Sequence, residues 1–186
     1  ILDKELLMVT RFSKYPSDFS SYTNAGSKTA ENVISFYLKD DKIILKKLAY
    51  TNEALETDPI NISVIQNNFP PILGVFKILN SQKDKFLIDV SNYFMNDSPG
   101  FNLIRKSDKE RFKIGSIDKK RSFIDSVKSF PNNTEIKNTL TYSANNLSRS
   151  NTSKTVSFQI NHSIILLPKK LMQVRFVDKR IGWFSL

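Results

Sequence analysis

In the segment Val156-Ser-Phe-Gln-Ile-Asn-His-Ser-Ile164, apolar side chains and His162 alternate with polar side chains along the whole length. A period of two places successive side chains on opposite faces of a β-strand. We therefore predict a half-buried strand here, the longest in the chain, with His162 on its inner face. The apolar side chains move from even-numbered to odd-numbered positions at Ile165 and Leu167, which predicts a bulge or bend near Ile164.

The same alternation predicts further strands on either side. Residues 135–142 place Ile136, Leu140 and Tyr142 on one face. Residues 33–38 and 43–50 are two β-rich runs joined by the polar turn 39–42, which predicts a hairpin. Other strands are expected at residues 6–12, 72–79, 86–90 and 171–177, with loops at 20–32, 52–58 and 143–155.

Helical signals are few. A short helix is predicted at residues 90–94, with Ser91 or Asn92 as its cap. Residues 60–64 fit a helical turn or a strand, and residues 123–130 fit a helix or a strand equally well. The sequence therefore predicts a mainly β, antiparallel fold, arranged as a sandwich or a barrel, with one or two short helices.

Length and composition indicate one β-rich domain over residues 1–186. Hydrophobic residues make up 40% and charged residues 25% of the chain, as in ordinary globular domains. The longest unbroken apolar run, residues 164–167, is far shorter than the ~20 residues of a membrane span, so we expect no transmembrane segment. The chain opens at Ile1 inside an apolar stretch, and we interpret it as a segment of a longer protein.

The counts of cysteine and histidine restrict the possible chemistry. The chain has no Cys and one His, so it cannot form a disulfide, a thiolate site or a zinc site with two histidines. His162 is either a general base or a metal ligand or, as its strand position favours, a hydrogen-bonded structural residue. The neighbouring carboxylates Glu53/Glu56 and Asp108/Glu110 are interpreted as solvated rather than as a catalytic pair. We predict no catalytic, cofactor-binding or metal-ligating residue in this chain.

A net charge of +10 raises the question of an anionic partner. Basic residues concentrate in one stretch that also contains Phe112. A module for anions or nucleic acid is the alternative interpretation, but a nucleic-acid site needs several stacking aromatics and this stretch has one. Nucleic acid is therefore not the expected partner. The predicted basic patch consists of Arg105, Lys106, Lys109, Arg111, Lys113, Lys119, Lys120 and Arg121.

Residues 175–184 near the end of the chain combine charge with aromatic surface. Arginine and aspartate there can form a forked ion-pair network, and the tryptophan and phenylalanine offer apolar area for docking. A terminal strand that fills the domain's own core would explain the same residues. The predicted interdomain contact consists of Arg175, Asp178, Arg180, Gly182, Trp183 and Phe184.

Four motifs in order resemble a known family. They are Asp118-Lys-Lys-Arg-Ser-Phe-Ile-Asp-Ser-Val-Lys-Ser-Phe-Pro-Asn-Asn133, Leu140-Thr-Tyr142, Asn161-His-Ser163 with Leu166-Leu-Pro168, and Arg175-Phe-Val-Asp-Lys-Arg-Ile-Gly-Trp-Phe184. They resemble large bacterial zinc-dependent metalloproteases typical of Bacteroidota. The matching part is the domain of unknown function that precedes the catalytic domain, from about residue 6 to residue 184.

The resemblance implies a role without catalysis for this chain. In that family an HExxH helix of a later domain carries the catalytic zinc, and this chain has no HExxH. The implied parent is exported to the periplasm, outer membrane or extracellular space, and hydrolyses peptide bonds with zinc-activated water. The expected partners are the catalytic domain of the same polypeptide and the parent's peptide or protein substrate. No cofactor is expected in this chain, and zinc is implied only for the parent.

Overall fold

The computed structural model describes residues 1–19, 24–49, 54–147 and 152–168. Strands account for 51% of the structure and form one antiparallel sheet, curved into a half-barrel. The predicted mainly β, antiparallel, barrel-like class is confirmed. The strands are β1 Leu6–Lys14, β2 Lys28–Lys39, β3 Lys42–Leu48, β4 Ile72–Gln82, β5 Lys85–Ile88, β6 Ile114–Ile117, β7 Phe123–Ser129, β8 Asn133–Ala144 and β9 Thr155–Leu166.

The two best alternating segments, β8 and β9, are neighbours near one end of this sheet. The strand order is β5-β4-β3-β2-β1-β9-β8-β6, and β7 pairs with the same edge of β8 as β6, further towards the start of β8. β8 and β9 pair without a register shift from Asn133↔Ile165 to Ser143↔Thr155. This long ladder joins β6, β7 and β8 to the rest of the sheet.

The bulge predicted near Ile164 is wrong. The pairing of β9 with β8 and with β1 is regular through Ile164 and Ile165. Both side chains are half-buried at the end of the strand, so the change of parity reflects partial burial on both faces rather than an extra residue. The register shift lies instead in β1, between Phe12 and Lys14.

Other boundaries also differ from the prediction. β2 begins at Lys28, inside the predicted loop 20–32, because residues 28–32 pair with β1. The ambiguous residues 123–130 form the strand β7, and residues 60–64 belong to a helix. The predicted strand 171–177 and Tyr50 lie outside the described residues.

Three short α-helices connect the strands: α1 Ile60–Asn67, α2 Ser91–Phe94 and α3 Lys106–Arg111. Single 3₁₀ turns lie at Ser17–Phe19 and Lys119–Arg121. The predicted cap of α2 is wrong, because Ser91 and Asn92 lie inside the helix. Instead, the carboxylate of Asp89 accepts a hydrogen bond from the Ser91 N–H at 2.8 Å and so provides a partner for a backbone N–H at the start of the helix.

The core lies between the inner face of the sheet and the segment 91–103, called here the cover segment. Tyr93, Phe94, Phe101 and Leu103 of this segment are buried together with inward side chains of β1, β2, β8 and β9. Their rings make edge-to-face contacts, such as 4.9 Å between the centroids of Tyr93 and Phe101. Aromatic burial on this scale contributes much of the apolar area that stabilises the fold.

Polar side chains of the sheet attach the cover segment from both sides. Asn32 Nδ2 on β2 donates to the Gly100 carbonyl at 2.8 Å, and the Thr29 hydroxyl donates to the Phe101 carbonyl at 2.8 Å. On β8, the fully buried Asn138 donates to the Phe94 carbonyl. Because β2 and β8 are separated by β1 and β9, these bonds fix the cover segment across four strands.

Candidate functional site

His162, the single imidazole, lies at the centre of the core. It is 0% exposed, and its Nδ1 forms a 3.0 Å hydrogen bond with the Thr10 hydroxyl of the adjacent strand β1. The ring of Phe101 lies 4.3 Å away and that of Phe94 lies 5.1 Å away, measured between centroids. The predicted position on the inner face is confirmed.

This environment keeps His162 neutral. Burial away from water lowers its pKa from the ordinary 6.5 to about 3, because the cation would lose its hydration. Nε2 is buried and has no hydrogen-bond partner in the structure. A ring without solvent exposure cannot contact a substrate, so His162 is a structural residue of the core.

A cavity of about 470 Å³ opens beside the core at one end of β1. Phe12, Tyr15 and Phe19 form part of its wall, and Arg105 and Asp108 bring charge to it. The two aliphatic hydroxyls of its wall, those of Ser27 and Thr29, form hydrogen bonds with neighbouring backbone groups. Ser27 Oγ accepts from the Asn24 N–H at 3.1 Å, and the Thr29 hydroxyl bonds the cover segment. The cavity therefore offers no base-activated nucleophile.

Of the predicted carboxylate neighbours, Asp108 and Glu110 face different surroundings. Asp108 lines the cavity, whereas Glu110 faces Lys106 at 3.9 Å on the exposed side of α3. Glu56 is exposed, and Glu53 lies outside the described residues. Within the described ranges, no group of three or more His, Asp or Glu side chains could hold a metal ion.

The structure instead surrounds Glu135 with donors. Its carboxylate accepts hydrogen bonds from Ser163 at 2.7 Å, Asn161 at 2.6 Å and Asn133 at 3.0 Å. Burial alone would raise the pKa of Glu135, but these three hydrogen bonds outweigh it and hold the pKa below its ordinary value. Sequence reasoning missed this cluster. No pattern in the sequence reveals it, because Glu135 meets Ser163 only through the pairing of β8 with β9.

The predicted basic patch spreads over α3 and the Lys119–Arg121 turn. Lys109 pairs with Asp97 at 2.8 Å, and Arg121 pairs with Asp118 at 2.7 Å. The hydrogen bond from Arg121 lowers the pKa of the Asp118 carboxyl below its usual range. These ion pairs offset part of the positive charge of the patch.

Phe112, the aromatic residue within the basic stretch, packs against the core. Its ring stacks on Phe19 at 4.2 Å between centroids, and the Arg111 guanidinium lies 5.2 Å from it. Its ring is therefore engaged by protein groups rather than free to stack on a base. The predicted interdomain residues Arg175, Asp178, Arg180, Gly182, Trp183 and Phe184 lie outside the described residues.

Comparison with known families identifies the domain. The model of a family described as a domain of unknown function, DUF5117, matches residues 26–186. The chain belongs to the DUF5117 family. No curated protein and no solved structure matched this DUF5117 chain. The predicted resemblance to a domain of unknown function is confirmed, and the association with a metallopeptidase stays a prediction.

The DUF5117 domain also exposes apolar side chains unevenly. Of the fifteen large hydrophobic residues exposed in the described part of the chain, eight lie between residues 60 and 87. Among the helices of the described ranges, none has the length and hydropathy of a membrane span. The eight residues, called here the apolar surface, are Ile60, Ile62, Ile65, Phe69, Ile72, Val75, Leu79 and Leu87.

Proposed function

We propose that this DUF5117 domain is a non-catalytic accessory domain of an exported zinc-dependent metallopeptidase. In this proposal the domain packs on the catalytic domain of the same polypeptide and lines the approach of the peptide or protein substrate. Its own residues bind no cofactor.

The burial of His162 is the observation that carries the proposal. Peptide hydrolysis by a zinc enzyme needs imidazole ligands and a general base at an accessible site. The one imidazole of this chain is fully buried and held by Thr10. This agrees with the order of motifs, which resembles a domain upstream of the HExxH helix.

The apolar surface supports a role in packing. Exposed hydrophobic side chains scattered singly need no explanation, whereas a concentration on one part of a domain indicates an interaction site. Eight such residues within 28 positions, from Ile60 to Leu87, agree with a domain that is covered by another.

The zinc of the proposed parent would be bound outside this chain. A zinc ion held by an HExxH helix polarises the peptide carbonyl and lowers the pKa of its bound water. The contribution of the DUF5117 domain would be to hold the catalytic domain and to shape the substrate approach, through contacts rather than chemistry.

The complete reading frame tests this proposal. We expect the frame that encodes these 186 residues to encode an HExxH motif as well. The purified complete polypeptide is then expected to contain about one zinc ion per chain, and the 186-residue chain none, by atomic emission spectrometry. A complete polypeptide without HExxH and without bound zinc would refute the proposal.

A further inference from the structure

Within the described part of the chain, no residue of the helix α1 is buried. Ile60, Ile62 and Ile65 are each more than half exposed. Helices in proteins owe most of their stability to the packing of an apolar face, and isolated helices of this length are marginal in water. The apolar side chains of α1 therefore need a partner beyond the described residues.

The hairpin of β4 and β5 has a similar deficit. β3 pairs with β4 only as far as Lys77, whereas residues 78–82 of β4 pair with β5 alone. The far half of the hairpin is thus a two-stranded ribbon, with Leu79 61% and Leu87 59% exposed. Two-stranded ribbons are marginally stable unless another layer covers them.

The residues that connect α1 to β4 lie along β3. After α1, Phe69 lies 5.4 Å from Lys46 Nζ of β3, measured to the ring centroid, and the Pro71 carbonyl accepts from the Lys47 N–H at 2.9 Å. Farther along β4, Val75 and Leu79 line the same groove of about 310 Å³ between β4 and α2.

The charge of these strands indicates the chemistry of the partner. Strands β3, β4 and β5 carry five lysines and no acidic residue. Carboxylates on the partner would complement them, and complementary charge fixes the orientation of a docked surface. A second copy would place lysines against lysines. Lys42, Lys46 and Lys77 share one face with Val75, whereas Lys47 pairs with the buried Ile34 and lies on the opposite face. The fifth is Lys85.

The tip of the hairpin argues for a protein partner rather than a membrane. Residues 80–84 at the tip are polar or charged and exposed, and the apolar side chains lie behind them. A hairpin that enters a bilayer would need apolar side chains at its tip, because burying polar groups in lipid is costly.

We propose that α1 and the β4–β5 hairpin form a docking surface for a protein domain that presents apolar side chains surrounded by carboxylates. This inference rests on the proposed function, since the domain that it names is the adjoining catalytic domain of the same polypeptide. Leu79 and Leu87 are the central apolar contacts, and Lys77 and Lys85 are the charged contacts beside them.

Hydroxyl-radical footprinting of the complete polypeptide tests the inference. The modification rate of each residue is divided by its rate in the 186-residue chain, which removes differences in intrinsic reactivity. Val127 is the matched control, because its exposure of 58% is close to the 61% of Leu79 and the 59% of Leu87. We expect the ratio to fall roughly tenfold at both leucines and to stay near one at Val127, because the centre of an interface excludes water.

Charge reversal gives the second measurement. The pair Lys77→Glu and Lys85→Glu is expected to return both leucines to the rates of the 186-residue chain. The control Lys128→Glu, an exposed lysine on β7, is expected to change nothing. If both leucines stay protected in the charge-reversed variant, the claim that the partner presents carboxylates is wrong.

Three further results would overturn the inference. Equal modification rates at the two leucines in both polypeptides would mean that the docking surface lies elsewhere. The proposed function would still stand in that case if the complete polypeptide contains zinc. Protection in the 186-residue chain by itself would assign the surface to a second copy or to the chain's own residues. Protection that requires phosphatidylglycerol vesicles would assign it to a membrane.

Discussion

The replacement His162→Gln should remove one component of the acid sensitivity of the fold. His162 is the only histidine of the chain and is buried neutral against Thr10, Phe94 and Phe101. Its pKa is about 3 in the folded state, whereas an unfolded histidine has a pKa of about 6.5. Gln retains a group that can bond Thr10 but does not titrate.

The size of the effect follows from the two pKa values. Between them the unfolded chain binds a proton that the folded chain excludes, so stability is complete above pH 6.5 and falls as the pH decreases. From pH 7.5 to pH 5 the free energy of unfolding should decrease by about 2 kcal/mol. Carboxylates protonate mainly below pH 5, so this window isolates the imidazole.

Urea denaturation at 25 °C, followed by circular dichroism at half-unit steps of pH, measures the effect. The wild-type chain should lose about 2 kcal/mol across the window, and His162→Gln should lose less than about 0.5 kcal/mol. Only the slope against pH is compared, because the substitution itself changes the baseline stability. Equal slopes in the two chains would contradict the account of a neutral, enclosed imidazole.

Three further substitutions test the core and its polar contacts. Phe101→Ala should lower the free energy of unfolding by about 3–5 kcal/mol in urea titrations, whereas Phe123→Ala, 51% exposed, should cost less than about 1 kcal/mol. Asn138→Leu leaves the Phe94 carbonyl without its donor and should lower the free energy of unfolding by about 1–3 kcal/mol. The amides of α2 should then exchange hydrogen faster. Unchanged exchange would show that Asn138 does not hold the cover segment. Hydrogen bonds hold the pKa of the Glu135 carboxyl below its ordinary value. The ionised carboxylate therefore stabilises the fold above the ordinary pKa, and this stabilisation is lost as the pH falls through the lowered pKa. Glu135→Gln should make the free energy of unfolding decline less steeply below pH 4.5.

The strand alternation was sufficient to predict the class of fold and the orientation of His162. A period of two is a local property, so residues 135–142 and 156–164 reveal their inward faces without knowledge of their neighbours. The start of β2 was missed because Thr29 and Asn32 are polar residues that point inward. They bond the cover segment, and that segment is distant in sequence.

The partners of the buried polar groups could not be predicted in the same way. Thr10 reaches His162 only because β1 lies beside β9, and strand order is not encoded in periodicity. Asn138 occupies an inward position between Ile136 and Leu140, which in retrospect indicates a buried hydrogen bond. The exposure of the isoleucines of α1 was equally unpredictable, because burial depends on which elements pack against a helix.

Hydrolysis of fluorescently labelled casein in the presence of zinc tests the central claim most directly. The assay compares the 186-residue chain with the polypeptide of the complete reading frame at equal molar concentration. We predict zinc-dependent cleavage by the complete polypeptide, abolished by a chelator, and no cleavage by the DUF5117 domain. Zinc-dependent cleavage by the 186-residue chain itself would contradict the account.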